Sequence, residues 1–149
     1  MHHTIDESQN RLFFRLFQAA NLLHKQGTMA LSDYGVTSQQ WSILGALSRG
    51  RASAGMTVNE MSEYLRVSRQ NVSAILGRME TAGWVRRVPD PSDLRSRRIV
   101  LTADGEKTWT AIAPLIQSFY SASVKGMTRQ EQTQCGELLG RLIQNMSAL

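Results

Sequence analysis

TVNEMSEYLRVSRQNVSAILGRMETAGWVRRVPDPSDLRSRRIVLT, residues 57–102, decides the fold. It reads as helix, tight turn, helix, strand, arginine-bearing turn and strand. Thr57 is an N-cap residue, and Glu60 three positions on completes a capping box. Met61, Tyr64 and Leu65 share one face at helical spacing. Val67-Ser68 turns the chain, and Ser68 caps a second helix. In that helix Val72, Ile75, Leu76 and Met79 recur at i, i+3, i+4 and i+7, which predicts a face packed inward. Gln70, Ser73, Ala74 and Gly77 lie opposite, with Arg69 and Asn71 at the open N-terminal end and Arg78 further along. That outward face is small and polar, able to donate and to accept hydrogen bonds. A mid-helix glycine costs about 1 kcal/mol relative to Ala, so Gly77 implies a close approach there, by DNA or by a packed neighbour. Ala82-Gly83 ends the helix. Trp84 to Val88 alternates as a strand, Pro89 to Asp93 is turn chemistry, and Arg98 to Leu101 returns as the partner strand.

Two capped amphipathic helices make an ordinary hairpin as readily as a DNA reader, and the charge distribution separates the two. Between Arg66 and Arg98 stand eight arginines (66, 69, 78, 86, 87, 95, 97 and 98) against Glu80, Asp90 and Asp93. Outside that window nine basic residues balance nine acidic ones, so the whole formal charge of +5 sits on the helix pair and hairpin. All three lysines lie elsewhere. The planar fork of arginine suits bidentate contacts to guanine and phosphate and enters narrow minor grooves. Double-stranded DNA is therefore the expected partner.

Several short blocks together carry a family resemblance. Gln40-Trp41-x-x-Leu44, Met61-Ser62-x-x-Leu65-x-Val67-Ser68 and Met79-Glu80-x-x-Gly83-x-Val85-x-Arg87 are similar to the MarR family of winged-helix repressors. So are Asp90-Pro91-x-Asp93-x-Arg95 and Leu101-Thr102-x-x-Gly105. They occur in the family's order and spacing over about residues 36–105. The sequence departs at Leu94 and Ser96, where members often carry further charge, and Arg97 and Arg98 follow instead. Both Arg95 and Arg97 are thus candidates for the minor groove. The resemblance implies a mainly α (α+β) fold: a winged helix-turn-helix domain with a small two-stranded wing, flanked by N- and C-terminal dimerisation helices. It also implies a single domain over 1–149, with the reading region at about 36–105 and the dimerisation helices at about 6–34 and 103–147. The DNA-binding set is then Ser68, Arg69, Gln70, Asn71, Ser73, Ala74, Arg78, Arg95 and Arg97.

The flanking segments fit that layout on their own chemistry. Asp6 to about Leu31 reads as one helix whose stripe of Phe13, Leu16, Phe17, Ala20, Leu23 and Gly27 is widened by Leu12, Phe14 and Leu22. Thr37-Ser38 opens the next helix, Gln39 to about Arg49, with Trp41, Leu44 and Leu47 inward. Gly50 to Gly55 is a flexible loop. Thr102 caps a helix carrying Trp109, Ile112, Ile116, Phe119 and Tyr120, in which Pro114 predicts a bend. Thr128 with Glu131 forms a capping box for a last helix to about Met146, with Leu138, Leu139, Leu142 and Ile143 on one side. Gly136 and Gly140 either let another helix come close or are merely tolerated. Terminal helices this apolar need a partner, and a homodimer supplies one.

Length and composition bound the remaining choices. A chain of 149 residues, 42% hydrophobic and 19% charged, suits one folded domain. The first ten residues have no signal-peptide pattern, no apolar run approaches the roughly 20 residues of a membrane span, and one cysteine fits a reducing cytoplasm. Chemistry finds little footing. His2, His3 and His24 lack metal-ligand spacing, a lone Cys makes no CxxC site, and no phosphate loop is present. The expectation is no enzyme, no metal and no cofactor. The peroxide-sensing branch of the resembled family keeps its cysteine in the first helix, which has none here, so Cys135 reads as an interface or buried thiol.

Members of the resembled family bind aromatic carboxylates, phenols or related catabolites between the dimer helices and the reading domain. In this sequence Arg11 and Arg15, four apart on one helix, offer a cationic clamp for a carboxylate. Trp41 and Phe14 offer aromatic walls, and His24 a polar partner. The expected effector is a small aromatic acid or its CoA ester. The competing assignment puts Trp41 in the core and leaves the two arginines solvated or paired with Glu7. The expected function is a homodimeric repressor on a near-palindromic operator, released by such a ligand; the alternative is a ligand-independent or architectural DNA-binding regulator.

Overall fold

In a computed structural model, residues 4–49 and 54–149 are described. His2, His3 and most of the Gly50–Gly55 loop lie outside them. The chain packs as two units, residues 1–116 and 117–149. In order along the chain come α1 (Glu7–Ala30), a 3-10 turn (Ser32–Tyr34), α2 (Ser38–Ser48), β1 (Met56–Thr57), α3 (Val58–Leu65), α4 (Arg69–Thr81), β2 (Val85–Asp90), β3 (Asp93–Leu101), α5 (Ala103–Ser123) and α6 (Arg129–Ser147). The fold is mainly α with a wing, and the wing hairpin is joined by one strand more than the two expected. Met56–Thr57 pairs antiparallel with Ile99–Arg98, giving the order β1-β3-β2.

Helix ends follow the capping chemistry. Thr37 and Gln40 form a reciprocal box at α2, and Thr128 and Glu131 another at α6. Both hydrogen bonds from Thr128 hold the Glu131 carboxyl below its ordinary value. At α3 only half of the expected box forms. The Glu60 backbone N–H donates to Thr57 Oγ1 at 3.1 Å, while the Glu60 carboxylate lies 3.6 Å from Arg98 of the wing.

The core gathers where α2, α4 and the sheet meet. Ile43, Leu44, Met61, Val72, Leu76, Met79 and Ile99 are all fully enclosed. Tyr64 is not part of it. Half exposed, it accepts a hydrogen bond on its phenol oxygen from Arg49 Nη1 at 3.2 Å. α1 behaves differently from the reading helices: of its twenty-four residues only Gly27 is buried. A Cβ on Gly27 would stand 2.6 Å from the ring edge of Trp41, so the glycine admits that indole against the helix. Phe13, Phe14, Phe17, Leu22 and Leu23 remain exposed on α1, as do Leu138, Leu139, Ile143 and Met146 on α6.

The wing is longer and its turn tighter than the sequence suggested. β2 runs on to Asp90 and β3 begins at Asp93, leaving Pro91-Ser92 as the turn. Asp90 makes this possible, because its Oδ1 accepts from both the N–H and the hydroxyl of Ser92 at 3.0 and 2.8 Å. Pro89 is tolerated within β2, opposite Arg97, because β2 is the sheet's edge and a missing N–H there costs no ladder bond.

Candidate nucleic-acid interface

The turn between α3 and α4 fixes how the second helix is presented. Arg66 ends α3 with φ +59°, a left-handed conformation held without glycine. The Val67 N–H then reaches back to the Ser62 carbonyl, and the Ser62 hydroxyl donates to the Val67 carbonyl at 2.6 Å. Ser68 follows as N-cap, its Oγ accepting from the Asn71 N–H at 3.1 Å. Val72, Ile75, Leu76 and Met79 are buried. Gln70, Asn71, Ser73, Ala74, Gly77 and Arg78 are all exposed. The spacing of 70, 73/74 and 77/78 makes them one stripe along the solvent side. Beyond the helix's own backbone and the adjacent residues, no described atom lies within 4 Å of a Cβ built on Gly77, so no neighbour among the described residues explains that glycine. Arg69 is drawn back onto α3, with Nη1 3.3 Å from Asn59 Oδ1.

The eight arginines divide into groups with different roles. Arg87 pairs with Glu80 of α4 at 2.8 Å. Arg98 lies 3.5 Å from Asp90 and 3.6 Å from Glu60, and it donates to the carbonyls of Ala54 and Gly55 at 3.2 and 2.8 Å. Arg78, Arg86, Arg95 and Arg97 are exposed and take no part in the ion pairs among the described residues. Arg95 stands just past the turn, where its N–H donates to Asp93 Oδ1 at 3.0 Å. Counting charge along the sequence treated all eight alike. The period-2 alternation of a strand already separates them, since Arg95 and Arg97 share one face of β3 and Arg98 takes the other. Asp90, buried at 5% exposure, is the wing's one enclosed carboxylate among the described residues. The Ser92 hydroxyl and N–H, with the Arg98 guanidinium beside them, hold it below its ordinary value against the cost of burial.

Of the four residues suggested for an effector, two meet on one seam and two stand elsewhere on α1. Trp41 is 6% exposed against Gly27, and His24 Nδ1 meets the Ser38 hydroxyl at 2.7 Å, both on the seam of α1 and α2. Arg11 and Arg15 are exposed further toward the start of α1. At 1.5 Å per residue, the backbone of Arg15 is about 13.5 Å from that of His24 along the helix axis. A separate cavity of about 330 Å³ opens beside the end of α2, β3 and the first turns of α5. Leu47, Ser48, Val100, Glu106 and Trp109 line it, with a carboxylate and no cation among the described residues. Trp84 and Gly105 close the sheet onto α5: the Trp84 carbonyl accepts from the Thr102 N–H and lies where a Gly105 Cβ would be.

A surface stripe of small polar residues on a capped helix, beside a hairpin bearing unpaired arginines, has the parts a duplex reader needs. The comparisons with known proteins agree. The MarR family model matches residues 34–96. The transcriptional activatory protein BadR of Rhodopseudomonas palustris is 44% identical over 144 residues, covering 96% of this chain and 82% of that protein. The crystal structure of Sco3205 from Streptomyces coelicolor in complex with DNA superimposes with a TM-score of 0.83 at 24% identity, covering 97% and 91% of the two chains. NadR in complex with 4-hydroxyphenylacetate gives 0.72 at 26% identity over 95% and 94%. With so much of BadR's length shared at that identity, and with the fold and the reading helix agreeing, the chain belongs to the MarR family of DNA-binding transcriptional regulators.

Proposed function

We propose that this protein is a cytoplasmic homodimer, each chain acting as one MarR-type domain, that occupies a near-palindromic operator as a repressor and is released by a small aromatic acid, a phenol or a related CoA ester. The observation that carries it is the division of surfaces. The polar stripe of α4 and the unpaired wing arginines suit a duplex, while the exposed apolar faces of α1 and α6 suit a second copy. Ser68, Gln70, Asn71, Ser73 and Ala74 meet base edges and backbone in the major groove, with Arg69 and Arg78 on phosphates. Arg95, with Arg97 beside it, enters the minor groove.

The ligand reading draws on the aromatic acid in NadR. In this chain Trp41 and His24 mark the α1–α2 seam, and Arg11 and Arg15 supply cations elsewhere on α1. The proposal has the carboxylate on Arg11 or Arg15 and the ring toward the seam, with the second copy completing the pocket. Release requires the ligand to prefer the DNA-incompetent dimer. A coupling of about 1–3 kcal/mol per site weakens operator affinity roughly 5–150-fold. A thermal-shift screen with benzoates, cinnamates and their CoA esters, followed by operator titration with any hit, tests it. A hit that also weakens operator binding supports the ligand-released regulator. A chain that binds its operator and responds to none supports the ligand-independent reading instead.

Activation is a second reading, favoured by the activatory role of BadR. A promoter fusion measured with and without the gene separates the two by sign: expression rises on deletion for a repressor and falls for an activator.

A further inference from the structure

Arg98 counts by charge among the DNA-facing arginines, but its surroundings give it a different task. It occupies the central strand, opposite Val88 of β2 on one side and Thr57 of β1 on the other. Its side chain is 21% exposed, and its guanidinium hydrogen-bonds two carbonyls and lies within 3.6 Å of two carboxylates, from three separate segments. Nε donates to the Ala54 carbonyl and Nη2 to the Gly55 carbonyl, just before β1. Nη2 also faces the Glu60 carboxylate in the first turn of α3, and Nη1 faces Asp90 at the end of β2. Asp90 is itself engaged by Ser92, so the turn of the wing and the start of α3 are joined through one planar fork. A guanidinium committed to two carboxylates and two carbonyls has little left to offer a phosphate.

We propose that Arg98 is a positioning residue that fastens the wing to the N-terminus of α3, through Asp90, Glu60 and the Ala54–Gly55 carbonyls, and so sets where Arg95 meets the minor groove. Arg98 leads from the stem of the hairpin to its end, where Arg95 stands three residues away. α3 packs on α4, so the same fastening fixes the distance between the reading helix and the wing. The inference deepens the DNA-binding reading proposed above and rests on it.

Charge and position make opposite forecasts for three substitutions. Arg98→Lys keeps the charge but loses the fork that spans several acceptors. Arg98→Met removes the charge. Asp90→Asn removes a negative charge from a protein that binds a polyanion. The probe is a duplex recovered by wild-type chain from a random library, titrated at several salt concentrations with methylation and minor-groove interference read in parallel. If Arg98 positions the wing, all three variants bind roughly tenfold more weakly, the order of one lost specific contact. The salt slope falls in all three by about the amount that Arg95→Ala removes, and protection disappears from the outer minor grooves while the α4 contacts persist. In the free protein, amide exchange at residues 93–97 speeds up in each variant.

If Arg98 instead contacts phosphate, Arg98→Lys binds as the wild type does with an unchanged slope, and Asp90→Asn binds more tightly. Either of these overturns the proposal. Should Arg98→Met fail to fold, Arg98→Lys and Asp90→Asn decide it. Should the wild type recover no duplex, the DNA reading itself has failed, and the exchange measurement still shows whether the wing is fastened.

Discussion

Gly77→Ala separates stability from function. Gly77 is the ninth residue of the thirteen in α4 and lies on its exposed face. An added methyl meets no described atom within 4 Å beyond its own helix backbone, so no overpacking offsets the gain in helix propensity. That gain is about 0.8–1.0 kcal/mol for glycine to alanine in a helix interior. For a chain of this size it raises the melting temperature by about 2–4 °C. The comparison belongs at one fixed protomer concentration, because association shifts apparent stability. On DNA the effect reverses. If α4 lies in the major groove with its small-residue face inward, the methyl must displace a base edge or backbone atom from close packing. Overpacking of this kind costs about 1–3 kcal/mol, which is at least fivefold in affinity. Calorimetry of the free protein and fluorescence anisotropy with operator DNA measure the two halves. A lower melting temperature would show that the space is not open. Unchanged affinity would remove this face of α4 from the DNA.

Gly105→Ala is expected to destabilise the chain by about 2 kcal/mol in urea unfolding, since its methyl meets the Trp84 carbonyl, a backbone atom that cannot turn aside. Unchanged stability would refute the close approach. Asp90 has a depressed folded value, so its contribution is fully present above the ordinary 3.8 and is lost as pH falls below that, through the folded value. The stability gap between wild type and Asp90→Asn therefore narrows in acid, and a gap that widened there would reverse the sign of the shift. Gln70→Ala is expected to relax preference at particular base pairs, whereas Arg95→Ala weakens every site and reduces the salt slope by about 0.9 per protomer. Identical losses on all sequences from both would contradict base readout by α4. Removing Thr128 to Leu149 takes away the exposed apolar side of α6 and is expected to abolish both dimer and operator binding, as sedimentation and anisotropy would show.

Much of the reading unit was legible because its signals are local. A capping hydroxyl and a 3.6-residue apolar repeat place α4 to the residue, and the Thr128–Glu131 box opens α6. What escaped depends on contacts between distant segments. Glu60 looked like a capping partner and is turned toward Arg98, thirty-eight positions later. Pro89 looked like a turn residue and sits in a strand because that strand is an edge. Arg66 gave no sign of its left-handed backbone, having neither glycine nor asparagine chemistry. The ligand clamp was the least legible part. Spacing along α1 placed Arg11 and Arg15 on one helix, yet nothing local could say how far they stand from the buried Trp41.

Hydroxyl-radical footprinting, with mass measurement of the complex on the selected duplex, tests most directly that two copies of this chain read one operator through α4 and the wing. Two chains per duplex are expected, with two major-groove contact regions centred about 34 Å apart, one helical turn, and a flanking minor-groove protection outside each. Arg95→Ala should erase the flanking protections and leave the central pair. One chain per duplex, or a single protected segment without twofold symmetry, would contradict the account.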